Sequence, residues 1–142
     1  SKIVDSLEEK NISTVMLGTS TDLICKQLAR LNPKIINFQG KTNLRESLAM
    51  ISQAKLVIGG DTGFVHGAEA LKIPAVMIMG PTTIETGGGV NLSISQNIEV
   101  NDLWCRPCSQ NGSKRCYRNE QYCMSTISSS QVFSAVQKVF SK

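Results

Sequence analysis

Four short apolar runs lie before Pro81, within STVMLGTST, KIINF, KLVIGG and PAVMIMG, and each is preceded by a stretch of helical periodicity. Strands apolar along their whole length are buried on both faces, and short links through helices join parallel neighbours. The pattern predicts an α/β chain, a Rossmann-like parallel sheet with helices on both faces. The helical stretches are SKIVDSLEEK, with Ile3, Val4 and Leu7 on one face; a helix opened by Asp22, with Leu23, Ile24, Leu28 and Leu31 recurring; NLRESLAMISQA, with Leu44, Leu48 and Ile51 turned inward; and TGFVHGAEALK. Past Pro81, TTIETGGGVNLS reads as a glycine-rich loop and NIEV as a candidate fifth strand. SSSQVFSAVQKVF reads as a terminal helix, capped from the Ser128 to Ser130 run, with Val132, Phe133, Val136, Val139 and Phe140 on a broad apolar face. The expected organisation is one domain over residues 1–142: a Rossmann-like core over 1–100, a cysteine loop over 101–126 and a terminal helix over 127–142.

A chain of 142 residues with 41% apolar content is large enough to bury one hydrophobic core without covalent staples. No apolar run approaches the roughly 20 residues that span a bilayer, and the charged SKIVDSLEEKN start lacks the apolar region of a signal peptide. No transmembrane segment is expected. Such domains usually open on a strand, so a chain opening on a helix, without an initiator Met, reads as the later part of something larger. The net charge of +4 favours anionic ligands such as phosphates. The basic residues are scattered and aromatics few, which does not indicate nucleic acid.

The densest stretch is GGDTGFVHGAEALKIPAVMIMGP, from Gly59 to Pro81. In an open parallel sheet, ligands bind beyond the carboxyl ends of the strands, where strand-to-helix turns converge. The DTG turn after KLVIGG is such a place. Glycines let a ligand approach the backbone, and free N–H groups at the next helix start favour phosphate oxygens, with Thr62 and Gly63 at that start. Asp61 either caps the helix or accepts hydrogen bonds from sugar hydroxyls. His66 lies one turn on from Thr62, either facing a diphosphate oxygen or packed in the core. Two further turns, GTSTD with Asp22 and GKTN with Lys41 and Thr42, end on the same side of the expected sheet, as does MGPTT with Thr82 and Thr83.

Five cysteines divide unequally. Cys25 lies beside the apolar stripe of its helix and reads as a core thiol. Cys105, Cys108, Cys116 and Cys123 form a C-x2-C-x7-C-x6-C series, which suits a structural metal in a reducing compartment, with free thiols and two disulfides as the other readings. Zinc and iron both accept tetrahedral thiolate ligands. Four protein ligands leave no open position for catalysis. Trp104, Arg106, Lys114, Arg115 and Arg118 decorate this loop, as a partner surface or as a solvated basic loop.

The segment from Gly40 to Thr83 closely resembles the donor-binding half of glycosyltransferase family 9, the bacterial heptosyltransferases, and the resemblance extends over residues 1–142. The family's D-T/S-G-x-x-H, K/R-x-P and G-P-T elements correspond here to Asp61, Thr62, Gly63 and His66, then Lys72, Ile73 and Pro74, then Gly80, Pro81 and Thr82. The resemblance implies the carboxyl-terminal domain of a GT-B glycosyltransferase, cytoplasmic or at the periphery of the inner membrane. It implies a nucleotide-sugar donor, typically ADP-heptose, with Asp61 on sugar hydroxyls and Thr62, Gly63 and His66 on the diphosphate. Asp22 corresponds to an acidic residue near the ribose, and Thr42 to a position lining the adenine pocket. An amino-terminal domain would supply the acceptor site and general base, so these residues alone are expected not to transfer sugar. The acceptor would be an anionic core saccharide of lipopolysaccharide or a protein hydroxyl. The cysteine series resembles the iron-bearing loop of autotransporter-directed heptosyltransferases, and homo-oligomers are among the expected assemblies. The competing function is a non-enzymatic nucleotide-binding or assembly module organised by the four cysteines. A one-iron electron carrier fits less well, since those use two C-x2-C knuckles.

Overall fold

The computed structural model describes residues 2–141. The chain divides into two compact units, the first running to Met50 and the second starting at Ile51. The first contains α1 (Lys2–Glu8), β1 (Val15–Met16), α2 (Leu23–Leu31) and β2 (Ile36–Asn37), and α3 (Leu44–Ser52) runs across the boundary. The second contains β3 (Val57–Gly60), α4 (Gly63–Ala70), β4 (Ala75–Ile78), β5 (Gln96–Ile98), α5 (Tyr122–Ser125) and α6 (Ser129–Phe140). The helix and strand order expected up to Pro81 is the one observed, and the candidate fifth strand forms as β5. Among the described residues all strand pairs are parallel, in two ladders, β1–β2 and β3–β4–β5. Periodicity identifies strands but not which edges join, so this division has no mark in the sequence.

In the first unit, Val15 pairs with Ile36 and Met16 with Asn37. Val4, Met16 and Ile35 form a buried cluster, against which Cys25, Leu28 and Ala29 pack. The stripe expected on α2 is therefore displaced. Leu23, Ile24 and Leu31 are 70%, 78% and 67% exposed. The covered face is centred on Cys25, Leu28, Ala29 and Asn32, and at 3.6 residues per turn Ile24 and Leu31 lie about 100° round from it. Asn32 is buried and donates from Nδ2 to Asp5 Oδ1 at 2.7 Å, which ties the end of α2 to α1. Burial and the nearby Asp22 carboxylate push the Cys25 thiol up, which suits the core thiol expected. On α3, Ser47 and Ile51 are buried but Leu44, expected inward, is exposed. It occupies the first helical position, after an Asn43–Glu46 capping box in which each side chain accepts the other's backbone N–H.

In the second unit β4 is the middle strand, paired with β3 and β5, and Ala75, Val76, Met77 and Met79 are fully buried. A strand covered on both faces requires this unbroken apolar run. Met77, Met79, Ala75, Val65 and Val90 form one buried cluster. α4 packs on β3 and β4, and α6 on β4 and β5. The Ser128 side chain accepts from Gln131 N and the Gln131 side chain from Ser128 N, the capping box that starts α6. Val132, Ala135, Val136 and Val139 make its inward face, whereas Phe140, expected there, is exposed at the helix end. Among the described residues, no helix is long and apolar enough to cross a membrane.

α4 sits against β3 because Gly59 leaves room for it: a Cβ on Gly59 would stand 2.8 Å from Val65 Cγ2. Val65 is β-branched and buried, so it has little freedom to yield. Gly59→Ala is expected to cost about 1–3 kcal/mol of stability, the usual range for overpacking, measured by denaturant unfolding. An unchanged midpoint would mean that the α4–β3 contact is softer than this distance implies.

Candidate functional site

β3 ends at Gly60, and Asp61 begins the turn into α4. Its carboxylate does not cap the helix; it is gripped from two sides. Thr82 Oγ1 donates to Asp61 Oδ2 at 2.6 Å, and His66 Nε2 stands 2.8 Å from Asp61 Oδ1. His66 reaches back because it lies on the first turn of α4, whose backbone starts with Val65 and His66 N–H groups donating to Thr62 O. Thr82 arrives from the G-P-T turn after β4, the strand hydrogen-bonded beside β3. Three residues of the sequence motifs therefore meet at one carboxylate. The Asp61 side chain is 21% exposed and that of His66 41%, so solvent and ligand can reach both.

Thr62 and Gly63 are exposed at the helix start, and the Thr62 side chain makes no capping bond. Nothing lies within 4 Å of where a Gly63 Cβ would stand. The start of α4 is thus exposed, with open space at Gly63, a few residues from an oriented carboxylate and imidazole. Chemically, this arrangement offers a hydroxyl acceptor, an imidazole and helix N–H donors within a few residues, a set able to hold a polyhydroxylated, anionic molecule.

The glycine-rich loop closes on the same carboxylate. A Cβ on Gly88 would stand 2.9 Å from Asp61 Oδ2 and 3.2 Å from Thr82 Oγ1. Gly88 N donates to Thr83 O at 3.0 Å, and the loop is pinned further on by Asn97, which exchanges two 2.8 Å hydrogen bonds with the Val90 backbone. Glu69 Oε1 accepts from the Asn91 and Leu92 N–H groups. Sequence reading found the loop and the G-P-T turn but not these roles. The three consecutive glycines were the available signal.

The other predicted binding residues lie in the first unit. Asp22 Oδ2 accepts from Thr19 N at 2.6 Å, Lys41 Nζ donates to Asn37 O at 2.9 Å, and Thr42 Oγ1 pairs with Ser47 Oγ at 2.8 Å. The two turns do converge: Gln39 Nε2 donates to Thr19 O and Asp22 O, both at 2.8 Å, and Gly40 N to Gly18 O. Gln39, which joins them, carries no motif.

Cys105, Cys108, Cys116 and Cys123 are all unbridged and line one cavity of about 20 Å³. Burial pushes the Cys123 thiol up, the Arg106 guanidinium opposes this, and Cys108, Cys116 and Cys105 add to the rise. Arg118 Nη1 donates to Cys105 Sγ at 3.7 Å. Four thiols are by their chemistry the donor set of a tetrahedral thiolate site. Their arrangement does not form one, since among the described residues no three such ligands are placed to hold a metal ion. Trp104 and Tyr117 are exposed, with the Arg118 guanidinium over the Trp104 ring. Arg106, expected on the loop surface, is instead buried, because its guanidinium finds acceptors in the adjoining turns.

Gly88→Ala is expected to push the Asp61 carboxylate off Thr82 and so displace the ring resonances of His66, the only histidine, in the NMR spectrum. Unmoved resonances in the folded variant would show that the loop yields instead of the carboxylate.

The model of glycosyltransferase family 9 (heptosyltransferase) matches residues 1–117. A lipooligosaccharide heptosyltransferase 2 of Campylobacter jejuni is 25% identical over 126 residues, covering 86% of this chain and 39% of that protein. The lipopolysaccharide heptosyltransferase 3 of Escherichia coli K12 is 33% identical over 87 residues, covering 58% of this chain and 25% of its own. The crystal structure of a family 9 glycosyl transferase from Veillonella parvula superposes with a TM-score of 0.75 at 20% identity, over 99% of this chain and 40% of that one. The chain thus spans between a quarter and two fifths of the length of these relatives. With the family match covering most of its length and the Asp61, His66 and Thr82 elements meeting at one place, the chain belongs to glycosyltransferase family 9, the heptosyltransferase family.

Proposed function

We propose that this chain is the donor-binding part of a heptosyltransferase of GT-B architecture, and that the Asp61 turn takes the sugar and diphosphate of a nucleotide-activated heptose, ADP-heptose in the simplest case. The observation that carries this reading is the Asp61 carboxylate, oriented by Thr82 and His66 beside the open helix start at Thr62 and Gly63. Asp61 accepts hydrogen bonds from sugar hydroxyls through its remaining lone pairs. The N–H groups at the start of α4, with the positive end of the helix dipole, take diphosphate oxygens, and His66 adds a donor. Asp22, Lys41 and Thr42 are the candidates for contacts with the nucleoside end, each to be tested singly.

Transfer is assigned to the whole protein. It requires a base within hydrogen-bond reach of the acceptor hydroxyl and a donor held in line. Both the base and the acceptor site are ascribed to an amino-terminal domain. The acceptor is a core saccharide of lipopolysaccharide or a protein hydroxyl, with transfer on the cytoplasmic side of the membrane and with inversion.

Calorimetric titration of the chain with ADP, UDP, GDP and CDP tests the donor reading. ADP should bind in preference, and His66→Ala should weaken it about tenfold or more, as expected for loss of a charge-assisted hydrogen bond worth about 1.5–3 kcal/mol. Equal or absent binding of all four nucleotides would overturn the reading.

The four loop cysteines are proposed to hold one structural zinc or iron ion, which would cross-link the loop and supply no reaction step. Elemental analysis should find about one ion per chain, and a chelator should lower the unfolding temperature. A metal-free chain with four titratable loop thiols and unchanged unfolding would count against the ion.

A further inference from the structure

Arg106 stands between Cys105 and Cys108, and its side chain is only 6% exposed. It donates from Nε to Gly80 O at 2.7 Å, from Nη1 to Val100 O at 2.7 Å, and from Nη2 to Thr82 O at 2.8 Å and Glu99 Oε2 at 2.9 Å. A guanidinium presents its donors in a rigid planar fork, so these carbonyls after β4 and β5 are held at set positions while Glu99 offsets the charge. Thr82, which receives one of these bonds on its carbonyl, is buried and donates its hydroxyl to Asp61. A single residue therefore connects Arg106 to the carboxylate of the site. A second contact joins the same pieces: Pro81 lines the cysteine cavity, and a Cβ on Gly80 would stand 2.7 Å from Met124 Sδ, one residue past Cys123.

We propose that Arg106 is a positioning residue for the Asp61 turn, acting through Thr82, and that the cysteine loop contributes to ligand binding by carrying it there. The proposal rests on the reading of that turn as the donor site. Lysine cannot replace the fork, since one ammonium on a flexible stem does not hold several carbonyls in one plane. Without the fork, the Thr82 backbone is free to shift, and its hydroxyl shifts with it.

The test uses Arg106→Lys, Thr82→Val and the double variant, with Ser128→Ala as a control that destabilises α6 away from the site. Two readouts are taken: ADP affinity by calorimetry, and the ring-proton resonances of the single histidine by NMR. Each single variant is expected to weaken ADP binding roughly 2- to 30-fold, the range for residues that couple through a packed network. The double variant should be little weaker than the worse single one, because both break the same connection. Both should displace the His66 resonances, and Ser128→Ala should change neither readout. A folded single variant with native affinity and native resonances, or fully additive losses, would overturn the proposal. If Arg106→Lys does not fold, Glu99→Gln, which loosens the guanidinium without removing it, is read in the same way. Should the unmodified chain bind no ADP, the donor reading fails, while the His66 resonances still decide whether Arg106 positions the turn.

Discussion

The Asp61 carboxylate accepts from Thr82 on one oxygen and faces His66 with the other, and this pair of contacts organises the carboxyl ends of β3 and β4. Neighbouring parallel strands deliver their turns to the same edge, so a residue after β3 and a residue after β4 can meet without a long loop. Hydrogen bonds to a charged group contribute about 1.5–3 kcal/mol each, more than neutral ones. They are strong enough to fix the carboxylate direction while leaving it partly open to solvent. On the proposed donor reading, a ligand would meet an acceptor that is already oriented, leaving little ordering to oppose binding.

The glycine-rich loop and the cysteine loop are both irregular, and both are held to that edge. Asn97 mimics a strand partner for Val90, Glu69 reaches from α4 to the backbone of Asn91 and Leu92, and Arg106 fastens the turns after β4 and β5. Backbone groups in irregular segments need partners when buried, and here side chains supply them. The absence of a side chain at Gly88 is used just as directly, since it lets the loop lie against the Asp61 carboxylate.

Much of the fold is legible in the sequence. The helix and strand order follows from apolar period, β4 from an unbroken apolar run, and the start of α6 from Ser128 and Gln131. The turn that carries Asp61 was legible too, as a strand end followed by a helix start with His66 one turn on from Thr62, although the grip of His66 and Thr82 on the carboxylate was not. Other readings failed for one reason: a repeat places residues on a face but does not say whether anything covers it. Leu23, Ile24 and Leu31 follow a helical period and are exposed, while Cys25, Leu28 and Ala29 take the covered face. Leu44 and Phe140 lie at helix ends, where burial stops before the pattern does.

The sequence by itself determined the element order, the identity of the turn that carries Asp61, and the family. Those depend on local spacing and on short-range backbone preferences. Tertiary structure decided which partners the carboxylate keeps. Thr82 lies 21 residues from Asp61 and Arg106 24 residues from Thr82, separations that no periodicity spans. Only the pairing of β3 with β4, and the burial of a guanidinium among backbone carbonyls, bring them together. The same holds for the four cysteines, whose spacing announces a cluster while their directions around one cavity depend on the packed loop.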